Sequence, residues 1–187
     1  MNKEKSQKWT FTARFRTNAF AWKGSRLARQ RIKEAVSEIR KVARKDPLTG
    51  AEGAIKLMEK LWPALQHVDS SSGAPGTAMY NAMDMLVDAV VEAPADDKTK
   101  VKWLDQLWRA VEEDGVGFLD VLGERWGDVC RSPEIASQWA DELLPIVQRT
   151  WEETKQGTFS YFRGTEACLS CMLASGRYQE LLGRINC

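Results

Sequence analysis

The stretch SRLARQRIKEAVSEIRKVARK, residues 25–45, decides the fold class. At 100° per residue its alanines, valines and isoleucines fall within one arc of roughly 120°, and basic residues occupy the adjoining arc. Asp46-Pro47 follows, and the residue before a proline is disfavoured in helical geometry. The pattern therefore predicts an amphipathic basic helix that ends by Lys45.

The rest of the chain repeats this helical periodicity. We expect further helices over about 49–65, 77–93, 97–114, 117–130, 133–151, 159–175 and 178–185. The loop DSSSGAPG, residues 69–76, is the clearest break between them. The one alternating stretch, near Trp9 and Phe11, is too short for a sheet. The sequence therefore predicts an all-α protein of seven to eight antiparallel helices.

Individual helices carry more detailed expectations. A capping box, Thr49 with Glu52, is expected to start the second helix. The apolar period places Tyr80 and Val101 inward in the third and fourth helices. Since a buried indole removes about 150–250 Å² from water, the larger part of four tryptophan side chains should be buried between helix layers: Trp62, Trp108, Trp126 and Trp139.

Length and composition favour one folded domain behind a distinct N-terminal segment. The chain has 187 residues, of which 43% are hydrophobic and 28% charged, as in ordinary globular proteins. We expect residues 1–24 to form a basic aromatic segment that packs on a single helical domain over residues 25–187. No apolar run approaches the ~18–20 residues that span a bilayer, and MNKEKSQKW lacks the apolar core of a signal peptide. We therefore expect a cytoplasmic protein without membrane association.

The charge is distributed very unevenly along the chain. Residues 1–45 hold 14 Lys and Arg against 3 Glu, a net charge of +11, whereas the other 142 residues hold 13 against 23, a net charge of −10. Such asymmetry indicates either an external anionic partner or an internal electrostatic match.

The stretch FTARFRTNAFAWKGSRLARQR, residues 11–31, concentrates these basic groups among aromatic rings. The rings could stack on nucleic-acid bases, or they could hold the segment on the helical core. We favour the second interpretation, with the aromatic anchors Trp9, Phe15, Phe20 and Trp22. Acidic residues of later helices should then offset part of the basic charge. The candidate surface for an anionic partner, nucleic acid or acidic protein, consists of eight residues: Arg14, Arg16, Lys23, Arg29, Lys33, Arg40, Lys41 and Arg44.

No motif carries a specific catalytic chemistry. His67 is the single histidine and lies near a helix end, where a role as a helix-terminal partner is the commoner one. The carboxylates Asp84, Asp88 and Glu92 recur at i, i+4 spacing, which could hold a hard cation, but a solvated helix edge is the more common meaning. The CxxC at Cys168–Cys171 falls within a helix, so we expect reduced, buried, metal-free core residues. The sequence predicts no cofactor and no enzyme; a hydrolase or metal enzyme would rest on the carboxylate row alone.

The tail ACLSCMLASGRYQELLGRI, residues 167–185, resembles one helix-turn-helix unit of the tetratricopeptide-like repeats, in which small residues let paired helices approach closely. Together with WTFTARFRTNAFAWKGS (9–25), RIKEAVSEIRKVARKDP (31–47) and VDSSSGAPGTA (68–78), it is similar to a group of uncharacterised bacterial helical-repeat proteins. The resemblance implies a solenoid-like stack and the N-terminal part of a longer protein. It implies no activity. We expect a non-enzymatic scaffold or protein-interaction module, with a nucleic-acid-binding accessory protein using residues 8–45 as the alternative.

Overall fold

The computed structural model describes residues 7–68 and 74–180, and for residues 74–78 it describes the backbone only. These residues form an all-α structure without strands, as the sequence predicts. Two short 3-10 turns, Thr10–Ala13 and Trp22–Gly24, precede the α-helices. In chain order the α-helices are α1 (Ser25–Ala43), α2 (Pro47–Leu65), α3 (Ala74–Glu92), α4 (Asp97–Glu113), α5 (Asp120–Glu124), α6 (Trp126–Cys130), α7 (Pro133–Lys155) and α8 (Thr165–Ala174).

Contacts divide the chain into two compact units. The first comprises Met1–Pro94 with Gln106–Phe118, and the second comprises Ala95–Asp105 with Leu119–Cys187. The division falls within α4. In the first unit α1, α2 and α3 each contact the other two, and in the second unit α8 contacts α5, α6 and α7.

The aromatic segment, which we define as residues 7–24, packs on the first unit. Trp9, Phe11, Phe15 and Phe20 are buried, and the Phe15 and Phe20 rings meet edge to face with centroids 5.6 Å apart. The Trp9 ring lies directly over Gly53 of α2, where a Cβ atom would run into it. A glycine in the middle of a helix costs stability, and here its missing side chain makes room for the indole.

A carboxylate on α1 holds the start of the aromatic segment. Glu38 accepts hydrogen bonds from the Thr10 backbone N–H at 2.8 Å, the Thr10 hydroxyl at 2.6 Å and the Phe11 N–H at 3.3 Å. These donors open the 3-10 turn at Thr10–Ala13, whose first N–H groups have no partner within the turn. Glu38 therefore acts as a cap supplied from another element.

The start of α2 differs from the predicted capping box. The helix begins at Pro47, and Asp46 is its N-cap, accepting hydrogen bonds from the Thr49 backbone N–H at 3.1 Å and from its hydroxyl at 2.6 Å. The prediction that Thr49 caps this helix is wrong, because an aspartate followed by proline at the first helical position already satisfies the requirements of an N-terminus. The hydrogen bond from the Thr49 hydroxyl, together with that from its N–H, lowers the pKa of the Asp46 carboxyl.

Two residues predicted to point inward are exposed instead. Tyr80 of α3 faces solvent, while Met83, Val87 and Val90 form the buried stripe of that helix. In α4 Val101 is exposed, and Lys100 and Trp103 are buried. The Lys100 ammonium lies 5.4 Å from the Trp103 ring centroid, a cation–π geometry. Since Trp103 removes more apolar surface from water than Val101 does, the helix turns its indole inward.

Tight helix contacts define the second unit. A Cβ on Gly127 of α6 would lie 2.5 Å from the Ser170 carbonyl oxygen and 2.7 Å from the Ala174 Cβ, both on α8. The Gly127 N–H donates to the Ser170 hydroxyl at 3.0 Å. The fully buried Trp126 meets Trp139 of α7 edge to face at 5.2 Å. The larger part of Trp139, as of Trp62 and Trp108 in the chain's other helices, is also buried, so the expected burial of all four tryptophans is confirmed. The small residues Gly127, Ser170 and Ala174 thus allow α6 and α8 to approach closely.

Helix boundaries in the second unit depart from the prediction in three places, of which the first is α7, expected to end at 151 but continuing to Lys155. The helix expected over 117–130 is divided into α5 and α6 at Arg125, between Gly123 and Gly127, both of which lie against α8. The helix expected from 159 begins only at Thr165. Gly157, with φ +84°, ends α7 in the left-handed region, and the following Phe159 is 91% exposed. Of the helix expected over 178–185, residues 178–180 are helical and the rest lie outside the described residues.

The three described cysteines, Cys130, Cys168 and Cys171, are buried free thiols, as expected for Cys168 and Cys171. The Sγ atoms of Cys130 on α6 and Cys171 on α8 are 4.0 Å apart. Their hydrogen bond, together with burial, raises the pKa of the Cys171 thiol, which keeps it protonated. Cys187 lies outside the described residues.

Candidate interaction groove

A groove opens between α1 and α3 in the first unit. Two adjoining parts of about 250 and 360 Å³ share Arg40 and Met85 as lining residues. Residue numbers rise together on the two helices, from Ile32 and Asn81 in one part to Arg44 and Glu92 in the other. The helices therefore run in the same direction along the groove. At 1.5 Å per residue, the length from Ile32 to Arg44 is about 18 Å.

The floor of the groove is apolar. Ile32, Val36 and Ala82 are buried, and Met85 and Ala89 are half-buried between the two helices. An apolar floor between polar rims is the usual arrangement of a groove that accepts the apolar side of a peptide or helix.

The two rims carry opposite charges. Lys33, Arg40 and Arg44 line the side formed by α1, and Asp88 and Glu92 line the side formed by α3. The charged residues of both rims are exposed. Among the described residues, no carboxylate lies within 4 Å of Lys33, Arg40 or Arg44. The α1 rim thus presents basic groups that ion pairs in the described part of the chain do not neutralise.

The predicted basic surface is divided by the structure. Lys33, Arg40 and Arg44 come together along the groove, whereas Lys41 is exposed on α1 outside it. Arg29 lies one helical turn before Lys33 on the same side of α1, and its buried Nε has no hydrogen-bond partner among the described residues. The remaining members, Arg14, Arg16 and Lys23, are exposed in or beside the aromatic segment.

The expectation that acidic residues of later helices offset the charge of Arg29, Lys33, Arg40 and Arg44 stays a prediction, and the ion pairs that the structure shows in the basic region involve other arginines. Arg14 and Arg31 both pair with Glu34 of α1, at 2.6 and 2.7 Å. The hydrogen bond from Arg31, followed in strength by that from Gln30, lowers the pKa of the Glu34 carboxyl. Local i, i+3 geometry accounts for the Arg31–Glu34 pair, whereas Arg14 reaches Glu34 from the aromatic segment, 20 positions away. For Arg14 and Arg31 the compensation is therefore supplied within the basic region itself.

Three of the four predicted aromatic anchors are buried. Trp9, Phe15 and Phe20 belong to the core of the first unit, so their rings are not available to stack on bases. Trp22 is 64% exposed, and its predicted packing against the body is wrong. It begins the short 3-10 turn Trp22–Gly24 that leads directly into α1, a turn with no buried residues.

Two further candidate sites from the sequence are the carboxylate row of α3 and His67. Asp88 and Glu92 of the carboxylate row line the groove, and the described residues contain no group of three His, Cys, Asp or Glu side chains that could hold a metal ion. His67 is exposed just after α2. Within residues 7–68 and 74–180, every helix is too short or too polar to cross a lipid bilayer.

Comparison with known proteins gives no assignment: no family model, curated protein or solved structure matches this chain.

Sequence reasoning missed the groove and its lining residues Ser37, Asn81, Met85 and Ala89. A signal was present, because the basic arc of the first helix and the carboxylate row of the third both border an apolar arc. Two such helices with charges of opposite sign would form a groove of this kind if they were neighbours. That neighbourhood is a tertiary contact, which the periodicity of either helix cannot reveal.

Proposed function

We propose that the protein is a non-enzymatic, helical-repeat interaction module that binds a partner protein through the α1–α3 groove. The observation that carries the proposal is an apolar floor, on which Met85 and Ala89 are half-buried above the buried Ile32 and Val36, between rims of opposite charge. A groove of this composition offers area for hydrophobic burial and charges for orientation, which are the two components of a specific protein interface.

The proposed repeat character rests on the course of the first three helices. α1 and α2 are joined by only three residues, 44–46, which favours an antiparallel hairpin. α3 then runs in the direction of α1, as the first helix of a following hairpin would. Helical solenoids bind partners along the surface formed by such successive helices. A cytoplasmic location agrees with buried cysteines in the thiol form.

The alternative, nucleic-acid binding through residues 8–45, has less support. Its stacking residues would be reduced to Trp22, since Trp9, Phe15 and Phe20 are in the core. Asp88 and Glu92 also face the basic rim and would repel phosphates.

The proposal can be tested by selecting binders from a displayed library of helical peptides at about 150 mM salt. Methyl NMR spectra should then show the largest shifts at Ile32, Val36 and Met85. Met85→Glu should abolish binding, while Tyr80→Glu, an equal change at an exposed position of the same helix that does not line the groove, should preserve it. Binders that map elsewhere would contradict the proposal. Micromolar binding of single-stranded nucleic acid at the same salt concentration would favour the alternative.

A further inference from the structure

The charges along the groove change from one end to the other. The part that contains Ile32 and Asn81 carries only basic charge, from Lys33 and Arg40. The part that contains Glu92 carries both signs, with Arg40 and Arg44 on one rim and Asp88 and Glu92 on the other. An occupant that matches the groove must therefore carry negative charge along the whole edge that faces α1. On the edge that faces α3 it needs positive charge only near Asp88 and Glu92.

The shape of the groove favours a helical occupant. It is about 18 Å long and lies between two helices that run in the same direction. Its floor is formed by apolar side chains of both helices, which can receive the i, i+3, i+4, i+7 stripe of an amphipathic helix. Addition of an extended peptide requires an exposed strand edge, and the described residues contain no strand.

From these two features we infer that the groove binds an acidic amphipathic helix of a partner protein, with its carboxylates aligned along α1. This inference deepens the proposed function and depends on it. Lys33, Arg40 and Arg44 are exposed and have no ion pair within the described residues, so a row of carboxylates would meet basic groups without displacing existing partners. Arg26 and Arg29 continue the same side of α1 by helical spacing and extend the basic rim beyond the groove.

The apolar floor distinguishes this occupant from other anions. A phosphate backbone would neutralise the α1 rim but would leave Met85 and Ala89 without apolar contacts. It would also bring its charge close to Asp88 and Glu92. A helix with one acidic edge, one apolar stripe and a basic group at one end satisfies the floor and both rims together.

Three synthetic helical peptides of about 18 residues, long enough to retain helicity, test the inference on the full chain. The first carries an apolar stripe and a Glu edge, the second has Lys in place of each Glu, and the third has the Glu edge with an all-Ala stripe. We expect the first to bind at least about tenfold more tightly than the second at 50 mM salt. The difference should shrink at 500 mM, because salt screens exposed charges. The third peptide should bind more weakly than the first, because it lacks the apolar stripe that contacts the floor.

The outcomes separate this inference from the proposed function. Equal binding of the Glu-edge and Lys-edge peptides, with methyl shifts at Ile32 and Val36, would overturn the acidic partner and leave the interaction groove intact. Equal binding of the Glu-edge peptides with apolar and all-Ala stripes would show that only charge is recognised, which overturns the helix-in-groove inference. Absence of binding by all three, together with failure of the library selection, would overturn both.

Discussion

The aromatic segment and the α1–α3 groove use different sides of one helix in contrasting ways. On the side of α1 that faces the aromatic segment, Glu34 and Glu38 are satisfied by Arg14, Arg31 and the backbone of Thr10. On the groove side the basic residues have no such partners within the described part of the chain. The first side is covered by residues of the aromatic segment, and the second lines a groove between α1 and α3 in the described part of the chain.

This difference shows that aromatic and basic residues that are close in the sequence can have separate roles. Residues 11–31 are rich in both rings and guanidinium groups, which suggests a single nucleic-acid site. In the structure the rings of Phe11, Phe15 and Phe20 are buried in the core. The basic residues that line the groove, Lys33, Arg40 and Arg44, follow this stretch in the sequence. The aromatic and basic residues should therefore respond differently to substitution.

The largest expected effect compares two tryptophans of the aromatic segment. Trp9→Ala should lower the free energy of unfolding by about 3–5 kcal/mol, because it leaves a cavity beside Gly53. Trp22→Ala, the matched control at a 64% exposed position, should change it by no more than about 0.5 kcal/mol. Urea unfolding of both variants measures the ranking. Equal losses would mean that Trp22 also packs on the body.

A double-mutant cycle sharpens the Trp9 assignment. Gly53→Ala normally stabilises a helix interior by about 1 kcal/mol, but here the added methyl meets the Trp9 ring, so we expect a loss of about 1–3 kcal/mol. In the Trp9→Ala background the same substitution should become stabilising, since the space is vacated. Urea unfolding of the four proteins gives the coupling energy. A destabilising Gly53→Ala in both backgrounds would place the clash elsewhere.

The cap supplied by Glu38 should have a smaller effect. Glu38→Ala removes three hydrogen bonds to Thr10 and Phe11 and should cost about 1–3 kcal/mol of unfolding free energy in a urea titration. Glu52→Ala, at an exposed carboxylate of α2, is the control and should change stability by about 0.5 kcal/mol or less. The hydrogen-bonding role of Glu38 would be refuted by equal values.

The smallest effect on stability is expected at the groove. Arg40→Glu and Lys41→Glu should each change the free energy of unfolding by about 0.5 kcal/mol or less, because both side chains are exposed and neither has an ion pair among the described residues. A large loss for Arg40→Glu in thermal and urea unfolding would show that this residue supports the fold.

The sequence could predict features that are set locally. The extent of α1, the all-α class and the burial of Trp9, Phe15 and Phe20 follow from periodicity and ring size. Local patterns could not reveal that Glu38 reaches Thr10 from 28 positions away. They also failed where two residues compete for one face, as Val101 and Trp103 do in α4. The groove required knowledge of which helices are neighbours, which only the tertiary structure supplies.

The central claim is that the aromatic rings support the fold while the basic residues of the groove bind a partner. Its most direct test is the affinity of the Glu-edge helical peptide for two protein variants, Arg40→Glu and Lys41→Glu. Arg40 lines both parts of the groove, and Lys41 follows it on the same helix without lining either part. Isothermal titration at low salt should show binding weakened about tenfold or more by Arg40→Glu, whereas Lys41→Glu should retain affinity within about twofold to threefold. Equal weakening by both variants, or by neither, would contradict an acidic helix seated between α1 and α3.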